Sequence, residues 1–346
     1  LAVADRVTDG DPDSWLEEFV GLGRRLLVEA ERSTGAGRRR TAWGQALRSA
    51  NYLFGGAWWA PATHRSGEVE QLWSTHRHAW DLAVELWPTP AGAEAVATPS
   101  GDLPGYRFHP GPNGSTAPGR PADPRGVVLM VQGLDTPLSD AAMTGLGEGL
   151  RRGWEVALVE GPGQGAALFR SSLSLAAGWD GVVAAAGDWA RGPRTVPLVL
   201  MGVNHGSWFV LDGLLGGATA DAVVLDPGVV DRAADCGGVG DDPIASAKLQ
   251  MATGTTSVAE ALAVIDGYRI DPADLGRVQA PTLVASAESA ESFRGQSQLV
   301  EENLAGPVSP VRFTDAEGAG LDCEIAAPQL RNAAVYDWLE ATVANG

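Results

Sequence analysis

Residues 196–215 constrain the fold more than any other stretch. An apolar run at 196–200 leads into Gly202-Val203-Asn204-His205-Gly206, and a helical pattern follows at 207–215. Strand, tight turn and helix, with glycines two positions either side of a central residue, form the elbow pattern G-x-S-x-G. Gly202 and Gly206 would let the helix pack against the strand where side chains would clash. The central residue is Asn204 and not serine. The fold is therefore easier to read than the chemistry.

Around the elbow, continuous apolar runs at 127–131, 154–159, 222–225, 282–285 and 311–313 alternate with helical patterns at 138–151, 172–189 and 328–343. Strands that are apolar on both faces are expected where helices cover both sides of a parallel sheet. Residues 91–346 are therefore read as one α/β unit with a mostly parallel sheet, entered through a hairpin built from 94–98 and 106–109. Residues 1–90 predict a separate helical domain with helices at 14–30, 38–54 and 68–86, the last ended by Pro88 and Pro90. Ser14 and Glu17 have the spacing of a capping box. Seven of the twelve tryptophans (Trp15, Trp43, Trp58, Trp59, Trp73, Trp80 and Trp87) fall in this part. They suit either plain core or an aromatic lining for a flat apolar ligand. Residues 229–271 interrupt the alternation and are read as an insertion contributing to a lid.

A net charge of −18 argues against nucleic acid and against anionic membrane surfaces, both of which want basic patches. Lys248 is the single lysine. A Schiff-base mechanism would have to use it, and a solvated surface position is the plainer expectation. Cys236 and Cys323 make no disulfide framework. No apolar run reaches the roughly 18 residues of a membrane span, and no signal peptide is visible, so the expectation is cytoplasmic. His76 and His78, two apart on a helix, do not share a face, and without a further ligand cluster no metal is expected. Gly161-Pro-Gly-Gln-Gly165 lacks the Lys-Ser/Thr of a phosphate loop. No cofactor is expected; the expected partner is a small apolar molecule, with a homodimer left open.

Four pieces together resemble the α/β-hydrolases of the fermentation–respiration switch type, which include C–C bond hydrolases such as 2,6-dihydroxypseudooxynicotine hydrolase and polyketide-shortening hydrolases. They are Gln132-Gly-Leu-Asp135, Glu160-Gly-Pro-Gly-Gln-Gly165, the elbow, and Glu317-Gly-Ala-Gly-Leu-Asp-Cys-Glu324 before Asp337-Trp-Leu339. Arg48-Ser-Ala-Asn-Tyr52 is similar to that family's lid. The resemblance implies the α/β-hydrolase fold with an N-terminal helical lid. It also implies a Ser-His-Asp triad, and each position departs from it. The serine position holds Asn204 and the histidine position Asp322. The acid position aligns with Ala290, between Glu288 and Glu291.

A carboxamide is a poor nucleophile and a carboxylate cannot become an imidazolium, so acyl-enzyme chemistry is not expected. What the scaffold retains is electrostatic: backbone N–H donors at His205 and at Gly133 or Leu134 for an oxyanion. Asn204 either adds a polar group there or simply tolerates left-handed backbone angles. The His205 side chain either packs into the helix or acts as a base. Asp322 is either a base of raised pKa or a loop carboxylate. Asp226 lies at the rim where such folds bind ligands; Asp135 and Glu160 lie near the same rim, where capping a turn is the more usual role, and Tyr52 and Trp208 are placed in the pocket. The leading expectation is a non-serine enzyme using Asn204, Asp322 and His205 on an aromatic or polyketide-like substrate, by cyclisation, dehydration, isomerisation or C–C lysis. The rivals are a hydrolase activating water directly and a ligand-binding protein without turnover.

Overall fold

A computed structural model describes residues 3–111, 123–134, 136–236 and 238–343. Three helices, α1 (Pro12–Gly35), α2 (Arg39–Ala57) and α3 (Val69–Glu85), precede β1 (Ala91–Thr98) and β2 (Gly101–Phe108). Then come β3 (Val127–Val131), α4 (Leu146–Arg151), β4 (Glu155–Val159), α5 (Gly165–Ser171) and α6 (Val182–Arg191). β5 (Leu198–Val203), α7 (Gly206–Leu215), β6 (Ala222–Asp226), α8 (Pro243–Thr253) and α9 (Val258–Asp266) follow. β7 (Thr282–Ala287), α10 (Gln296–Asn303), β8 (Val308–Phe313) and α11 (Pro328–Val343) complete the order.

The eight strands form one sheet in the order β1-β2-β4-β3-β5-β6-β7-β8. The β1–β2 hairpin and the β2–β4 pair are antiparallel; every pairing from β4 to β8 is parallel. The continuous apolar runs have the expected cause. In β3, Val128 and Met130 enter a core on one face, while Val127, Leu129 and Val131 enter a second core on the other. The first core also contains Leu16, Leu53, Leu72 and Trp80, so the N-terminal helices share one apolar interior with the sheet. Glycines allow α1 and α2 to approach closely: a Cβ on Gly23 would lie 2.6 Å from Leu53 Cγ, and one on Gly56 2.6 Å from a Val20 methyl.

Three local expectations need correction. The cap of α1 is Asp11, which accepts from Asp13 and Ser14 N–H, while the Ser14 hydroxyl donates to the Thr8 and Asp11 carbonyls. The helix expected at 138–151 is broken: a 3-10 turn at Leu138–Ala142 gives way at Gly145, whose φ of +136° no α-helix allows, to α4. The helix expected at 172–189 begins only at Val182, because Ser172, Gly178 and Gly181 all have positive φ. The apolar periodicity was real in both stretches, but backbone turns interrupt it.

The antiparallel end of the sheet is held by a buried carboxylate. Glu155 accepts from Arg194 at 2.7 and 2.9 Å and from Arg107, and His109 Nδ1 lies 3.0 Å away. Burial opposes the charge, but the bonds from His109, Arg194 and Arg107 outweigh it and bring the carboxyl down to about 2. A depressed carboxyl stabilises the fold above its unfolded pKa, and that contribution is lost as pH falls from about 4.5 toward 2. Glu155→Gln should therefore lower stability by about 3 kcal/mol near pH 7, with the deficit narrowing at pH 3. Denaturant titrations at both pH values check this, and an equal deficit at both would contradict it.

Candidate active site

The elbow forms as its glycines require. A Cβ on Gly206 would sit 1.9 Å from the Val131 carbonyl oxygen, and one on Gly202 2.4 Å from Ser207 Cα. Asn204 lies between them with φ +56°, the left-handed conformation that asparagine tolerates. Its N–H donates to the Asp226 carbonyl at 2.7 Å. Its own Oδ1 accepts from the His205 N–H at 2.7 Å. The backbone donor that such an elbow offers to an oxyanion is thus occupied by the chain's own carboxamide.

A cavity of about 410 Å³ lies between the N-terminal helices and the ends of β3, β4 and β5. Phe54, Trp58, Trp59, Trp73 and Phe169 supply aromatic walls, and α8 and α9 close a further side through Ile244, Leu249, Ala252 and Ile265. Of the seven early tryptophans, Trp80 is core, Trp15 stacks on Phe19 at 4.2 Å, and Trp43 meets Trp87 edge-on. Lys248 is not a solvated surface residue as expected. It lines the cavity with Nζ 4.0 Å from the Trp58 ring centre, a cation–π contact.

The loops after β3 and β4 are tied together by Gln164. Its Oε1 accepts from the Gly161 N–H at 2.8 Å, and its Nε2 donates to the Gln132 and Gly133 carbonyls at 2.7 and 3.2 Å. Leu134 and Glu160 line the cavity. Glu160 accepts from Arg77 of α3 at 2.6 Å and from the Ala166 N–H at 3.2 Å. A Cβ on Gly165 would lie 1.8 Å from its Oε1, so the Gly-Pro-Gly-Gln-Gly turn makes room for this carboxylate. Glu160 therefore fastens the helical region to the sheet at the cavity's edge.

His205 lines the cavity too. Arg232 Nε donates to its Nδ1 at 3.3 Å, and Phe293 stands edge-on at 5.0 Å. Burial first, then the Arg232 charge, hold its pKa well below the usual histidine value. Because a guanidinium only donates, the neutral ring carries its proton on Nε2. No described residue accepts that proton.

Several expected site residues lie elsewhere. Asp322 and Asp226 border a second, polar cavity of about 560 Å³ formed by the loop after β7 and the tail. Asp322 accepts from the Ser292 hydroxyl at 3.2 Å. Cys323 and Glu324, with φ of +51° and +50°, turn the tail so that Asp322 does not open on the aromatic cavity. Asp226 is a core residue whose Oδ2 pairs with Arg331 Nε at 2.7 Å, both side chains being 1% exposed. Beside them Glu324 is fully buried, and burial followed by the Asp226 charge raises its pKa and keeps it neutral. Burial likewise raises the Cys323 thiol well above its usual value. Trp208 packs on Tyr268 at 4.7 Å, and Tyr52 faces Phe19 at 5.8 Å; neither lines the cavity. Asp135 lies outside the described residues. Sequence reasoning missed His76, Gln164 and Arg232 as site residues.

Family models match no part of the chain. Hydrolase LUC6 of Fusarium sp. is 23% identical over 99% of this chain and 91% of that protein. The 20-hydroxy-prefusarin hydrolase FUS2 of Gibberella moniliformis is 24% identical with the same coverage. A crystal structure of 2,6-dihydroxy-pseudo-oxynicotine hydrolase superposes with a TM-score of 0.79 at 18% identity, over 100% of this chain and 92% of that one. AbyA5 superposes at 0.61 and 16% identity, over 98% and 93%. The chain has the α/β-hydrolase fold. Within this α/β-hydrolase frame the elbow residue is Asn204. Among the described residues none of the five histidines bonds a serine, threonine or cysteine side chain; their partners are Asp13, Ala50, Glu31, Glu155 and Arg232. No group of three or more His, Cys, Asp or Glu among the described residues is arranged to hold a metal. No described helix is long and apolar enough to cross a membrane.

Proposed function

We propose that this α/β-hydrolase-fold chain is a cofactor-free enzyme that acts at a conjugated carbonyl of a flat, apolar natural-product intermediate, without an acyl-enzyme. The observation that carries the reading is His205. Its tautomer is set by Arg232, so a neutral imidazole offers an Nε2–H donor in an aromatic-walled cavity where the elbow supplies no nucleophile. A neutral histidine kept from protonating can polarise a carbonyl and stabilise the oxyanion or enolate that develops. The backbone N–H is already capped by Asn204, so the side chain takes over the donor's task. The residues 1–90 and the 229–271 insertion act as the lid over the ligand. Asp322 is disfavoured as the base because it borders the other cavity. The names of the relatives favour hydrolysis, by water added directly to the polarised carbonyl, over cyclisation.

The test is paired. Naphthyl ketones should quench tryptophan fluorescence saturably, and a fluorophosphonate should leave the intact mass unchanged. Stoichiometric labelling of a serine, or no ketone binding, would refute the reading. Saturable binding with no turnover of any naphthyl ketone or ester would instead favour a ligand-binding protein.

A further inference from the structure

His76 of α3 is the second histidine of the aromatic cavity, and nothing so far gives it a task. Its side chain is 4% exposed and lines the cavity one turn after Trp73, with Phe54 at 5.3 Å. Its Nδ1 lies 2.8 Å from the Ala50 carbonyl oxygen. A carbonyl only accepts, so Nδ1 carries the proton and the lone pair is on Nε2. Burial first, with a smaller push from Arg77, brings its pKa down to about 4, so the ring is neutral near pH 7. Nε2 has no hydrogen-bond partner among the described residues. The two cavity histidines are therefore fixed in opposite tautomers, each by a partner that can play only one part: Arg232 must donate and Ala50 must accept. One ring offers N–H, the other a lone pair.

We infer that His76 is the acceptor that complements His205, and that the cavity selects a flat conjugated ligand carrying a hydroxyl as well as a carbonyl. The inference rests on the reading of His205 given above. The carbonyl takes the N–H of His205 and the hydroxyl donates to His76 Nε2. In a proton-transfer step the substrate O–H bond breaks and a bond from hydrogen to Nε2 forms. The electron pair stays on oxygen and delocalises through the conjugated body to the carbonyl held by His205. A weakly basic imidazole gives that proton back readily, so His76 ends as it began and no co-reactant is needed. His76 lines the cavity with this ring nitrogen unpartnered, and a ligand hydroxyl there supplies the donor it lacks.

The test uses hydroxyacetonaphthones and their methyl ethers as probes, titrated by tryptophan fluorescence. His76→Asn retains a donor for the Ala50 carbonyl and removes Nε2. Wild type should bind at least one hydroxyketone about tenfold more tightly than its ether, the size of one good hydrogen bond. His76→Asn should bring that ratio to within about twofold. A preserved ratio in the variant, or no preference in wild type, overturns the inference. His205→Phe separates the two readings. It should weaken ketone and ether alike, and if it weakens neither, the carbonyl site itself is wrong. Should His76→Asn fail to fold, ¹⁵N-histidine spectra of the wild-type chain decide. His76 must show an unprotonated Nε2 that shifts when a hydroxyketone is added; a protonated Nε2, or no shift, overturns the assignment.

Discussion

Replacing Arg331 by Met should destabilise the protein by about 3–5 kcal/mol, the usual consequence of stripping one partner from a buried ion pair. Arg331 is enclosed between α4 and β6. Nε donates to Asp226 at 2.7 Å and Nη1 to the Thr144 carbonyl at 2.6 Å. Without the guanidinium, the buried Asp226 carboxylate keeps no cationic partner and lies beside the fully buried Glu324. The loss should reach the elbow, because the Asp226 carbonyl accepts the Asn204 N–H. Guanidinium denaturation measures the change. The pair Asp226→Leu with Arg331→Met should recover at least about half of it, since two apolar groups leave no stranded charge. If the double variant is as unstable as the sum of its parts, the pair is not the source of the loss.

The same residues show where sequence reasoning stopped. The elbow was legible because its glycines answer a local steric demand: Gly206 meets the Val131 carbonyl whatever the rest of the chain does. The parallel sheet was legible because its central strands, β3 to β6, are buried and largely apolar on both faces. Asp322 was misplaced because its direction depends on two left-handed residues after it, Cys323 and Glu324, which nothing in their residue types announces. Trp208 was misplaced because α7 is buried on nearly every side, so no face of it reads as the pocket side. Tyr52 belongs to an α2 face that packs on α1. His76 and Lys248 were passed over for the opposite reason. Each stands on a helix whose partner across the cavity is remote in sequence, and only packing reveals a buried imidazole or an ammonium over Trp58.

The largest effect on activity is expected at His205. If the neutral ring is the donor, turnover of naphthyl ketones or esters should show no acidic limb at the usual histidine value of 6.5, because burial and Arg232 keep the ring from protonating there. The sign follows from the lowered pKa: the active neutral form persists on acidification until pH falls well below the usual histidine value, and activity is lost only there. His205→Phe removes the donor and should lower kcat by about 100- to 1000-fold, the range found when one oxyanion donor is deleted. His205→Gln places an amide N–H near the same point and should recover roughly tenfold of that loss. Arg232→Met tests the cause of the pKa separately. With the neighbouring charge gone the ring protonates more readily, so an acidic limb should move up toward neutrality, and kcat on the plateau should also fall because the bond that holds the proton on Nε2 is lost. A wild-type profile that already falls through pH 6–7 would mean that His205 works as a titrating base, and the donor role would have to be abandoned.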